Sequence, residues 1–253
     1  MSTTEEPGTR QIYGPVADTP MGYAGDPEDA HPPLDFPPYK STRLRHPMQP
    51  MVYLPQTVTE ITGPQLAPAL RLKETDNDLT VQGSGEPIGQ RITVTGHVYD
   101  TEGKPMRDTL IEVWQANAAG RYQHRWDRWD APLDPNFKGA GRCLTDTEGR
   151  YRFITIKPGP YPWGNHYNAW RPAHIHFSLL GRAFAQRLVT QMYFPGDPFF
   201  AYDPIFNAVR DERARERMIS TFSIHDTVEN WAAAYHFDIY LRGPGETPFE
   251  RSH

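Results

Sequence analysis

The sequence predicts a mainly β fold, an antiparallel β-sandwich with an extended N-terminal arm and few short helices. Three observations predict it: short runs rich in β-branched and aromatic residues recur from Arg91 onward, Gly, Pro or Asp clusters bound each run, and only one segment reads as a helix.

Residues 1–40 hold eight prolines and no amphipathic period, which predicts an extended arm rather than a packed domain. Tyr13, Tyr23, Phe36 and Tyr39 make this arm richer in aromatics than a disordered tail. It is expected to lie at a subunit interface, ordered by a partner. Residues 41–253 are read as one β-sandwich domain that carries the chemistry.

Within that domain the expected strands are 91–99, 110–114, 151–156, 173–179, 188–194 and 234–241. Asp-Thr-Glu-Gly occurs at 100–103 and again at 146–149, where Asp and Gly suit tight hairpins. The expected helix starts with Asp203 as N-cap and Pro204 at its first position, and runs through Ile205, Phe206 and Val209 toward Met218. Its charged run from Arg210 to Arg217 reads as a solvated face.

The 253 residues suffice for a sizeable core. The net charge of −5 comes from 26 basic and 31 acidic residues mixed along the chain. No basic stripe points to nucleic acid and no polybasic segment to a membrane. One cysteine, Cys143, rules out an internal disulfide and reads as a small buried hydrophobe. The first residues lack a signal peptide's basic start and apolar run, so a soluble cytoplasmic protein is expected.

The chemistry concentrates in Trp170-Arg171-Pro172-Ala173-His174-Ile175-His176-Phe177. In an extended chain His174 and His176 project to one face while Ile175 and Phe177 face the other, so the two imidazoles can grip one metal ion. A His-x-His pair alone is weak evidence: imidazole suits zinc, copper, iron and nickel, and many such pairs only hydrogen-bond within a sheet. Pro158-Gly159-Pro160-Tyr161-Pro162-Trp163 pre-positions Tyr161 and Trp163, while Arg171 has no obvious acidic partner in sequence. Gly120-Arg121-Tyr122 adds a second tyrosine. Two phenolates with two imidazoles favour a hard, high-valent cation, and Fe(III) is the natural occupant.

These motifs, with Ile111-Glu112-Val113-Trp114-Gln115-Ala116-Asn117, Ala131-Pro132-Leu133-Asp134-Pro135-Asn136-Phe137 and Gly141-Arg142-Cys143-Leu144-Thr145-Asp146, closely resemble the intradiol ring-cleaving dioxygenases, in the iron-bearing β-subunit branch of that family. The resemblance runs from Tyr39-Lys40-Ser41-Thr42 to near the C-terminus. It implies Fe(III) held by Tyr122, Tyr161, His174 and His176, with Tyr161 leaving the metal when substrate binds. Arg171 would bind and act close to the substrate ring, Gln191 would act near the metal, Trp163 would wall the substrate pocket, and Tyr39 would contact the substrate.

The implied reaction cleaves protocatechuate (3,4-dihydroxybenzoate) with O2 to 3-carboxy-cis,cis-muconate, and the implied partner is a homologous α subunit in a hetero-oligomer. Gly164-Asn165-His166 departs from a family pattern with a basic residue after the tryptophan, which keeps another substituted catechol, such as catechol or 4-sulfocatechol, as an alternative. A non-catalytic β-sandwich ligand-binding module is the alternative from another class. His124 and His166 lie near the motifs and receive no ligand role.

Overall fold

The computed structural model describes residues 35–45, 72–100, 102–180, 187–241 and 247. Residues 1–34 of the expected arm, with Tyr13 and Tyr23, lie outside this set, as does the end of the chain. No helix among the described residues is long and apolar enough to cross a membrane.

Two sheets form the sandwich. One contains β1 (Arg91–Tyr99), β4 (Arg150–Ile156), β9 (Thr221–Val228), β10 (Ala232–His236) and β11 (Ile239–Tyr240). The other is antiparallel throughout, in the order β3 (Ala140–Leu144), β2 (Leu110–Trp114), β7 (His174–Leu180), β8 (Arg187–Tyr193). A small ribbon pairs β5 (Tyr161–Trp163) with β6 (Ala169–Arg171). Ile92, Val94, Val98 and Phe153 from the first sheet meet Ile111, Val113, Ile175, Phe177 and Leu179 from the second, because alternate residues of each strand face inward.

Strands β1 and β2 occupy the expected ranges. The expected 234–241 strand divides in two: β10 and β11 both run parallel to β1, and Phe237 at the break donates its N–H to the Thr95 carbonyl. This sheet is therefore mixed. The repeated tetrapeptides form one turn twice: Asp100 and Asp146 each accept from two downstream backbone N–H groups, Glu102 and Lys104 in one case, Glu148 and Arg150 in the other. The second turn crosses between sheets, since β3 pairs with β2 while β4 pairs with β1.

Asp203 caps α2 (Pro204–Ala208) as expected, accepting from the Ile205 N–H. The helix stops at Val209, whose backbone is extended, and α3 (Glu212–Glu216) restarts under a second cap, Asp211. Arg215 fills the gap by donating to the Val209 and Arg210 carbonyls, so a side chain replaces helical hydrogen bonds. One short helix, α1 (Thr42–Arg45), belongs to the segment that precedes the sandwich.

Candidate metal centre

Strands β5, β6, β7 and β8 and the loop between β2 and β3 carry the predicted residues, except Tyr39, which comes from the segment before the sandwich. His174 opens β7, and the register sets it opposite Tyr193 and His176 opposite Gln191 on β8. On its other side His176 lies opposite Trp114 of β2, and the two rings stack with centroids 4.8 Å apart and planes 1° from parallel. Tyr161 begins β5 directly opposite Arg171 of β6.

Tyr122 comes from the long connection between β2 and β3. Asp127 accepts its backbone N–H, and Asn117 accepts those of Ala119 and Arg121, which fixes the loop. Gly120 makes the approach possible. A Cβ there would lie 2.2 Å from the Pro160 carbonyl oxygen, and its φ of +77° is one that other residues rarely adopt. The backbone carrying Tyr122 can therefore lie against the turn carrying Tyr161.

The polar atoms of the four side chains meet. Tyr122 Oη is 3.1 Å from His176 Nε2, and Tyr161 Oη is 3.3 Å from His174 Nε2. The two imidazoles stand 4.8 Å apart between centroids, and the two phenol rings 5.5 Å apart, edge to face.

His174 Nδ1 lies 2.7 Å from the Pro172 carbonyl, so its N–H donates there and the Nε2 lone pair faces the site. Burial, with the Arg171 and His176 charges, holds its pKa well below the usual histidine value. That shift favours the neutral imidazole, the form that can hold a metal.

Arg171 does have an acidic partner. Its Nε is 3.0 Å from Asp203 Oδ1, both groups being buried. The same guanidinium donates to Gln191 Oε1 and to Tyr193 Oη, and that hydroxyl sits 2.7 Å from Gln191 Oε1 and 3.1 Å from Asp203 Oδ2. Tyr193 and this use of Asp203 escaped the sequence reading, since the N-cap motif already accounts for Asp203 and nothing local links it to Arg171.

Trp163 follows Tyr161 by two residues on β5, so both project from one face. Tyr39 packs edge-on against it at 4.9 Å. Beside them the Gly164-Asn165 turn holds the preceding segment: Lys40 donates from its backbone to Asn165 O and from Nζ to Gly164 O, and Ser41 N–H donates to Asn165 Oδ1. His124 is exposed and His166 half-buried, and among the described residues their hydrogen bonds are local, His124 Nδ1 with the Trp126 N–H and His166 Nδ1 with the Tyr167 carbonyl.

A family model described as "Dioxygenase" matches residues 61–243, and one described as "Protocatechuate 3,4-dioxygenase beta subunit N terminal" matches residues 23–57. The chain belongs to the intradiol dioxygenase family. As a member, it is 59% identical over 224 residues to the protocatechuate 3,4-dioxygenase beta chain of Burkholderia cepacia, covering 88% of this chain and 94% of that one. To the alpha chain from Pseudomonas putida this intradiol dioxygenase is 31% identical, over 79% of its own length and 98% of the relative's. Its fold matches the crystal structure of 3-chlorocatechol 1,2-dioxygenase from Rhodococcus opacus 1CP with a TM-score of 0.53 at 26% identity, covering 72% of this chain and 70% of the other.

Proposed function

We propose that this chain is the catalytic β subunit of a protocatechuate 3,4-dioxygenase that opens protocatechuate between its hydroxyl-bearing carbons, consuming O2 and giving 3-carboxy-cis,cis-muconate. The observation that carries this reading is the convergence of Tyr122, Tyr161, His174 and His176, in a chain so similar to a protocatechuate 3,4-dioxygenase beta chain.

The donor set fits Fe(III). Two phenol oxygens are hard ligands once ionised, and two neutral imidazoles complete a group that suits ferric iron better than zinc. Bound there, Fe(III) supplies Lewis acidity and a template for both catechol oxygens.

The protein's residues do the rest. Tyr161 Oη is placed to accept a proton from one substrate hydroxyl, since its phenolate is a strong base beside the reacting centre. Arg171 stays protonated at any working pH, and Gln191, Tyr193 and Asp203 fix its fork, so it faces developing negative charge without reorganising. Tyr39 and Trp163 form an aromatic wall that orients the ring and excludes water. A homologous α chain is the proposed partner, consistent with the likeness to an alpha chain over most of both sequences.

The test is the visible absorption of the purified protein, co-expressed with its α-chain partner, before and after anaerobic protocatechuate. A tyrosinate-to-iron band that shifts with protocatechuate, followed by O2 uptake on aeration, is the expected outcome. A folded, iron-replete sample without that band overturns the reading.

A further inference from the structure

On the other sheet of the sandwich, away from the tyrosine and histidine cluster, a second set of donors converges. His97 lies near the end of β1, His236 ends β10, and Asp238 follows in the break before β11. His97 Nδ1 is 3.2 Å and His236 Nε2 3.0 Å from the same atom, Asp238 Oδ1, and the three donor atoms lie within 4.8 Å of one another.

The backbone builds this convergence. At Gly96 a Cβ would lie 1.9 Å from the Phe237 carbonyl oxygen, so only glycine lets β1 and the β10–β11 break approach so closely. The His97 N–H then donates to Asp238 Oδ1 at 2.8 Å, orienting the carboxylate, and the His97 ring stacks on Tyr99. His97 and His236 both line an open cleft of about 890 Å³, which Arg150 lines as well.

We propose that His97, His236 and Asp238 form a second metal site, for a borderline divalent ion of the zinc class. Two imidazoles and one carboxylate are a donor set that such ions accept, with solvent completing the shell. A tetrahedral ion with bonds of about 2.0–2.1 Å has ligand–ligand edges of about 3.3 Å. Two of the three edges are already close to that length.

The surroundings show what binding requires. His236 Nδ1 faces Thr95 Oγ1 at 3.5 Å, so with Nε2 on the metal the remaining ring N–H has a hydroxyl to donate to. His97 is the opposite case: Arg150 Nε donates to its Nε2 at 3.2 Å, which keeps the proton on Nδ1. Metal binding moves that proton to Nε2, and Arg150 must swing into solvent. Arg150 therefore opposes the ion.

Zinc titrated into the full-length, iron-loaded protein against a colorimetric indicator tests the site. The expected result is one zinc per chain with the iron band unchanged, affinity falling at least about tenfold in His97→Gln and in His236→Gln, and tightening in Arg150→Ala. X-ray absorption of the zinc-loaded wild type should show two imidazoles, which decides the matter even where a variant folds poorly. Equal uptake by wild type and the double histidine variant, no uptake by either, or a shell of oxygens alone overturns the proposal and leaves a hydrogen-bond network only.

Discussion

Arg171 Nε lies 3.0 Å from Asp203 Oδ1, and that same carboxylate oxygen accepts the Ile205 N–H at the start of α2. One buried side chain thus fixes both the cation beside the candidate centre and the helix packed behind it.

Removing that carboxylate should be severe. Asp203→Ala leaves a buried guanidinium without its counter-charge and strips the cap, for an expected loss of about 3–5 kcal/mol in urea unfolding. Asp203→Asn keeps an oxygen for the cap and should lose less stability. In both, kcat should fall more than KM rises, since Arg171 is misplaced and the aromatic wall is intact.

The donor set makes a separate prediction. Tyr122→Phe and His176→Ala should each lower bound iron and abolish the visible band, while far-ultraviolet circular dichroism stays that of the wild type. Chelating the iron from the wild type should extinguish O2 uptake, and adding ferric or ferrous iron back should restore it. Iron content and turnover unchanged in both variants would refute the ligand assignment.

Gly120→Ala tests the meeting of the two tyrosine-bearing loops. The new Cβ collides with the Pro160 carbonyl and sits at a positive φ, so about 1–3 kcal/mol of destabilisation is expected. The iron band should weaken because Tyr122 and Tyr161 are pushed apart. A fully stable variant with an unaltered band would show that the approach is not required.

Cys143 faces the core, and burial pushes its thiol pKa up to about 12. Only the thiolate reacts with disulfide reagents. At pH 8 that is about one molecule in ten thousand, so the native protein should resist Ellman's reagent and release one thiol equivalent only on unfolding.

Much of this was legible in the sequence, and the failures have physical causes. β1 and β2 stood out because inward Ile and Val alternate with residues of the outer face. β3 did not, since Ala140-Gly141-Arg142-Cys143-Leu144 has little β character and is set by its pairing with β2. β9 was missed because it is an edge strand with largely exposed side chains, its apolar alternation broken by Asp226. At the centre, local motifs carried the two tyrosines and two histidines. The ion pair of Arg171 with Asp203 spans separate elements, and only the tertiary fold creates it.

The parallel pairing of β1 with β10 has a consequence for synthesis. β1 leaves the ribosome early, yet two of its three strand neighbours, β10 and β11, belong to residues 232–240. Until those residues are made, one edge of β1 is bare and the sandwich cannot close around Val94 and Val98. The nascent domain must therefore wait, partly open and prone to mispairing, for nearly all of its sequence before the slow long-range step that completes it.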